Sequence, residues 1–181
     1  MSARLTLLTG GVRSGKSGRA LALAGDSDDV LFVATAQAFD DEMRARIAAH
    51  KAERPLTWST LEEPIDLAAR LQERIDTKAH AVVVIDCLTL WVSNLLLSLP
   101  DDADAEALIA ERARELLAVI GRTNARVIVV TNEVGLGVVP PTPLGRRYRD
   151  ALGRVNQLVA AAADEVILLV SGIDVVIKPR G

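Results

Sequence analysis

The run Gly10-Gly11-Val12-Arg13-Ser14-Gly15-Lys16-Ser17 satisfies the pattern G-x-x-x-x-G-K-[ST] in full. Glycines at those positions let the backbone turn tightly enough for successive N–H groups to face phosphate oxygens. A helix opening at Lys16 would add its positive N-terminal end. Lys16 would reach the outer phosphates of a nucleoside triphosphate, and the Ser17 hydroxyl would bind Mg²⁺. The alternative is a Gly-rich turn without a ligand. The loop follows a short apolar run and precedes an Ala/Leu-rich one, which is the strand–loop–helix context the motif requires.

Two further groups carry chemistry. Val82-Val83-Val84-Ile85-Asp86 is a hydrophobic strand ending in an acid. Asp86 could hold Mg²⁺ directly or through water, or it could simply end the strand and cap the next helix. Glu133 is a weaker second candidate. The other group is cationic: Arg44, Arg46, His50, Lys51 and Arg54 crowd the back half of one expected helix and its exit. Cations there complement a helix C-terminus, and His50 could be an ordinary half-buried histidine. Beside a phosphate loop the same residues take a second meaning. Lys51 and Arg54 could hold a triphosphate and keep His50 neutral, and a neutral imidazole can attack an α-phosphorus.

The elements needed to position these groups are legible from periodicity. Apolar strands are expected at 5–9, 30–35, 56–61, 81–86, 126–131, 166–170 and 175–177. Helices are expected at 16–24, from Asp40 to 52, from Pro64 to 75, and at 88–99, 105–121 and 144–163. The alternation predicts an α/β fold, a RecA-like P-loop domain with a mostly parallel sheet and helices on both faces, filling residues 1–181 as one domain. The 88–99 helix is apolar nearly all round, which predicts deep burial or an oligomer contact. Trp58, Trp91 and Cys87 read as core, with the neighbouring Asp86 raising the Cys87 pKa; His80 reads as exposed, and the acidic stretch 101–106 as a solvated helix start.

The 181 residues are half hydrophobic and a quarter charged, with a net charge of −3. That balance argues against disorder and against a general nucleic-acid binder. Cys87 is the single cysteine, which fits a reducing cytoplasm. No secretory signal pattern is evident, and the apolar stretch 81–99 is broken by Asp86 and Asn94, so no membrane span is expected. Thr131-Asn132-Glu133-Val134 does not supply the Asn-Lys-x-Asp guanine signature of switch GTPases.

Several segments, taken in order, are familiar together. They are the phosphate loop, Val33-Ala34-Thr35-Ala36, Asp40-Asp41-Glu42-Met43, the 46–51 segment with His50, and Trp58-Ser59-Thr60-Leu61-Glu62. They continue with Ile85-Asp86-Cys87-Leu88-Thr89, Thr131-Asn132-Glu133-Val134-Gly135, Gly153-Arg154-Val155-Asn156-Gln157 and Val170-Ser171-Gly172-Ile173. The sequence resembles the bifunctional adenosylcobinamide kinase / adenosylcobinamide-phosphate guanylyltransferase family of cobalamin biosynthesis over nearly its whole length. The resemblance implies that ATP or GTP phosphorylates adenosylcobinamide, and that GTP then gives GMP to that phosphate through a guanylylated histidine, here His50. It maps nucleotide contacts onto residues 10–17, Ala34, Thr35, Ala36, Lys51, Ala52, Glu53, Arg54, Glu62 and Asp86. Some members carry Glu where this chain has the shorter Asp86. The resemblance also implies a homo-oligomer, trimers being known in the family. A plain small-molecule kinase in which His50 only packs, or a nucleotide-binding module without turnover, are the other readings. Arg146, Arg147 and Arg149 are candidate phosphate partners for the corrinoid.

Overall fold

The computed structural model describes residues 4–37, 41–52 and 54–180; within the second of these segments, the side chains of Glu42, Met43, Arg46, Ile47, Ala49 and His50 lie outside the described residues, as do Asp40 and Glu53 entirely. Seven strands form one sheet: β1 (Leu5–Gly10), β2 (Val30–Ala34), β3 (Ser59–Glu62), β4 (Val82–Asp86), β5 (Arg126–Val130), β6 (Glu165–Val170) and β7 (Ile173–Lys178). Their spatial order is β3-β2-β4-β5-β1-β6-β7. Every pairing is parallel except β6 with β7. The helices are α1 (Lys16–Ala24), α2 (Asp41–Ala52), α3 (Leu67–Thr77), α4 (Leu88–Ser98), α5 (Ala105–Arg122) and α6 (Pro143–Ala162).

The central strands are apolar on both faces because both faces are covered. In β4, Val83 and Ile85 pack into a cluster with Leu71 of α3, Trp91 of α4, Ile109 of α5 and Leu152 of α6. Val82 and Val84 point the other way, toward Ala20 and Ala24 of α1, Phe32 and Trp58. The 88–99 stretch is apolar because α4 is enclosed by this core: Leu88, Trp91, Val92, Leu95 and Leu96 are all buried. Deep burial, one of the two readings its composition allowed, holds for these residues, while Leu97 on the same helix is 61 % exposed.

Helix starts follow their local chemistry. Asp104 accepts from the Ala107 amide at 3.1 Å, and Thr142 accepts from the Gly145 amide at 3.1 Å with Pro143 at the first helical position. Three expectations are corrected. The third helix begins at Leu67 rather than near Pro64, because Glu63 Oε1 accepts from the amides of Ile65 and Asp66 and holds that segment as a turn. The strand expected from residue 56 begins at Ser59, since the Trp58 amide turns back to the Pro55 carbonyl. His80 is only 7 % exposed: its Nδ1 lies 3.1 Å from Asp29 Oδ1, which is also 3.0 Å from Lys78 Nζ.

Asn94 ties the layers together. It is buried on α4 and donates through Nδ2 to the carbonyls of Thr35, at 2.9 Å, and Pro64, at 3.2 Å. An Asn94→Ala variant leaves both carbonyls short of a donor in the interior. We expect it to lose about 2 kcal/mol of stability, read as a lower urea midpoint with an unchanged slope.

Candidate active site

The loop between β1 and α1 lies at the C-terminal edge of the sheet, and its course is fixed by close backbone approaches. Gly10 has φ +144°, and a Cβ there would stand 2.4 Å from the Leu169 carbonyl oxygen on the neighbouring β6. Arg13 and Gly15 both lie at positive φ, 58° and 96°. The Gly172 amide donates to the Ser14 carbonyl at 3.0 Å, so the tight turn joining β6 to β7, with Ser171 and Gly172 both at positive φ, props the loop from outside. Arg19 of α1 reinforces this contact through Asp174 of β7 at 2.6 Å.

Unlike α5 and α6, α1 starts without a capping side chain, and its first turn carries no acid. Its first amides and its dipole are therefore left for an anion. Lys16 folds back over the loop, donating to the Gly11 carbonyl at 2.5 Å and the Ser14 hydroxyl at 3.2 Å. Burial pulls its ammonium below the ordinary lysine value, while Cys87 and Asp86 act in the opposite direction.

The loop forms one wall of a cleft of about 720 Å³. Val12, Arg13, Ser14, Gly15, Lys16 and Ser17 line it, with Ala34 and Ala36 from the end of β2, Lys51 and Arg54 from the end of α2, Glu62 from β3 and Asp86 from β4. Lys51 Nζ is 3.2 Å from Glu62 Oε1. The Arg54 guanidinium stacks 3.5 Å from the centroid of the Phe32 ring. Trp58 anchors the following segment by donating from Nε1 to the Ser27 carbonyl at 3.0 Å.

The sequence-derived set is thus largely gathered, with informative exceptions. Thr35 is fully buried rather than facing the cleft. Its hydroxyl donates to the Cys87 carbonyl at 2.7 Å and accepts from the Cys87 amide at 2.9 Å, and its own amide donates to the Asp86 carbonyl at 3.3 Å. Thr35 therefore holds the strand end that presents Asp86. Gly10 and Gly11 shape the loop from behind the cleft lining, and Ala52 is exposed outside it. Glu53 and the His50 side chain are outside the described residues, although the His50 backbone lies in α2 beside Lys51. Arg44 pairs with Asp41 at 2.6 Å on the exposed side of α2 and is not part of the cleft. Of the α6 arginines, Arg146 donates to the carbonyls of Pro140 and Pro141, Arg147 to that of Ala103, and Arg149 to Asp150.

Sequence reading missed Phe32, Thr89, Leu90, Val130 and Asn132, which also line the cleft. Phe32 and Val130 read as plain core positions, and no local signal separates them. Asn132 was visible only as part of a motif; its place beside the loop depends on strand order.

The chain matches the profile of a family described as cobinamide kinase / cobinamide phosphate guanyltransferase over residues 6–177. It is 47 % identical to the bifunctional adenosylcobalamin biosynthesis protein CobU of Escherichia coli, over 96 % of this chain and 99 % of that one. It is 46 % identical to the CobU of Salmonella typhimurium over the same shares, and 46 % identical to the bifunctional adenosylcobalamin biosynthesis protein CobP of Pseudomonas aeruginosa, over 95 % of this chain and 96 % of that one.

Burial, with Asp86 adding to it, pushes the Cys87 thiol up from 9.0 to about 11. A folded value above the unfolded one keeps the thiol neutral below pH 9, and the associated stability is lost as pH rises from 9 toward 11. Two units correspond to about 100-fold less thiolate at pH 8. Alkylation of the folded protein by iodoacetamide in EDTA at pH 8 should be slower than that of the urea-unfolded chain by at least that factor. Equal rates would contradict the assigned environment.

Proposed function

The chain belongs to the cobinamide kinase / cobinamide phosphate guanyltransferase family, and from that premise we propose that one cleft serves two successive transfers to a corrinoid. In the first, the aminopropanol hydroxyl of adenosylcobinamide attacks the γ-phosphorus of ATP or GTP. The bond from that phosphorus to the β–γ bridging oxygen breaks, and a nucleoside diphosphate leaves. In the second, a neutral nitrogen of His50 attacks the α-phosphorus of GTP, a P–N bond forms, and pyrophosphate leaves. An oxygen of adenosylcobinamide phosphate then attacks the same phosphorus, the P–N bond breaks, and adenosylcobinamide-GDP is released.

The observation that carries this reading is the gathering of the phosphate loop, Lys51, Arg54, Glu62 and Asp86 about one cleft at the exit of the helix that bears His50. Residues 10–17 cradle the triphosphate through loop amides and the uncapped start of α1. Lys16 counters charge on the outer phosphates, and Lys51 and Arg54 do so nearer the sugar end. Ser17 and Asp86 supply two hard oxygen donors, a set suited to Mg²⁺, which keeps waters and takes its remaining ligands from phosphates. Held by these two side chains, Mg²⁺ would supply positive charge to offset that of the phosphate oxygens. Ala34 and Ala36 border the nucleotide, and Ala52 and Glu53 are the further contacts that the family resemblance assigns next to Lys51 in the chain. In this reading Thr35 acts through the peptide that carries Asp86 rather than by touching nucleotide.

The whole chain works as one catalytic domain in the cytoplasm, in keeping with its free thiol at Cys87; among the described residues no helix is long and apolar enough to cross a membrane. We further read it as a homo-oligomer, supported by the exposure of Leu136 (86 %) and Val138 (95 %) and by the apolar edge strand β7.

GTP labelled at the α-phosphorus tests the covalent step. Wild-type protein incubated with it and Mg²⁺ should acquire acid-labile, base-stable label, as a phosphoramidate does, and His50→Ala should acquire none. A wild type that binds GTP yet takes no label would replace this mechanism with a plain kinase.

A further inference from the structure

Asn132 stands where the kinase step needs a group that spacing alone did not reveal. The strand order places β5 between β1, which feeds the phosphate loop, and β4, which ends in Asp86. Val130 is the register partner of both Leu8 and Asp86. Beyond β5 the chain stays attached to β1: the Thr131 amide donates to the Leu8 carbonyl at 2.9 Å, and the Glu133 amide to the Gly10 carbonyl at 3.1 Å. Asn132 lies between these two anchors and lines the cleft together with Lys16, Ser17 and Asp86.

Its backbone is fixed by side chains from two helices. The Asn132 amide donates to Thr89 Oγ1 of α4 at 2.8 Å, and its carbonyl accepts from Asn156 Nδ2 of α6 at 3.0 Å. Asn156 Oδ1 in turn accepts from the Thr131 hydroxyl at 2.7 Å. Both main-chain groups of Asn132 are therefore used. Its carboxamide makes no hydrogen bond among the described residues, though it sits beside a site for polyanions. A polar side chain with a pinned backbone and unused donors and acceptor is preorganised for a ligand.

We propose that Asn132 is a catalytic residue of the phosphoryl-transfer step. Its N–H donates to an oxygen of the γ-phosphoryl group, and its carbonyl oxygen accepts from the attacking hydroxyl. Donation lowers the charge that develops on the transferred group, and acceptance aims the hydroxyl oxygen along the line of attack. The new bond joins that oxygen to the γ-phosphorus, and the bond to the β–γ bridging oxygen breaks. The hydroxyl proton passes to a non-bridging oxygen of the transferred phosphoryl group. Guanylylation of the protein reacts at the α-phosphorus and makes far less use of Asn132. This assignment rests on the two-step reading above.

Asn132→Ala, Asn132→Asp and wild type should be compared for adenosylcobinamide phosphorylation, and for protein labelling by α-labelled GTP, at matched melting temperature. Asn132→Ala should lower the kinase kcat about 100-fold with KM for the nucleotide changed less than about threefold. Its labelling rate should fall by no more than about threefold, since the lost contact lies on the γ-phosphoryl group. Asn132→Asp should be at least as slow as Asn132→Ala, because a carboxylate repels the terminal phosphate. Kinase activity retained in Asn132→Ala, or equal losses in both assays, would overturn the proposal. A wild type without kinase activity would instead overturn the functional reading itself.

Discussion

The near-contact between Gly10 and the Leu169 carbonyl sets the path of the phosphate loop. β1 and β6 are hydrogen-bonded neighbours with Gly10 opposite Leu169, and a Cβ at Gly10 would lie 2.4 Å from that oxygen. With no side chain there, the backbone leaves β1 tightly against β6 and enters the two positive-φ positions, Arg13 and Gly15, that aim the loop amides inward. The β6–β7 turn then closes on the loop through Gly172 and Ser14. α1 starts at Lys16 with its first turn unpaired by any side chain. The antiparallel edge strand β7 thus acts as a brace for the anion site as well as an end to the sheet.

Opposite the loop, the site is set by how strand ends are held. β5 separates the loop strand from the acid-bearing strand by one position, and the end of β5 and the chain just beyond it contribute Val130 and Asn132 to the cleft between them. Thr35 fixes the end of β4 from the side of β2, and Thr89 with Asn156 fixes the end of β5 from the helices. Asp86 and Asn132 are therefore presented by a network of buried or half-buried polar groups anchored in the core around α4 and α6. Such networks hold groups in place without reorganisation during the reaction, which is how electrostatic stabilisation becomes effective.

Most of this was legible in the chain because its signals are local. The eight-residue loop, the run from Val82 to Asp86 and the alternation of apolar strands with amphipathic helices are each contained within a short window. What sequence could not supply depended on contacts between distant segments. Pro64 looks like a helix start, but Glu63 and Asn94 claim the neighbouring backbone groups and delay the helix to Leu67. His80 looks exposed until Asp29, 51 positions earlier, is found beside it. Thr35 sits in a nucleotide-like motif, yet its polar atoms are spent on Cys87, Asp86 and Asn94. Asn132 gains its place only once β5 is known to lie between β1 and β4. The apolar character of α4 had two explanations in sequence, and packing within the chain accounts for Leu88, Trp91, Val92, Leu95 and Leu96.

The central claim is that both transfers use one nucleotide cleft, and Lys16 is the residue on which both depend. Lys16→Ala should be assayed for adenosylcobinamide phosphorylation and for GMP transfer to adenosylcobinamide phosphate, with circular dichroism to verify an intact fold. A single cleft predicts that both rates fall together, each by at least about 100-fold, in line with the loss of a charged group facing transferring phosphates. If one activity stays near the wild-type rate while the other is lost, the two reactions use separate nucleotide sites and the single-cleft mechanism is wrong.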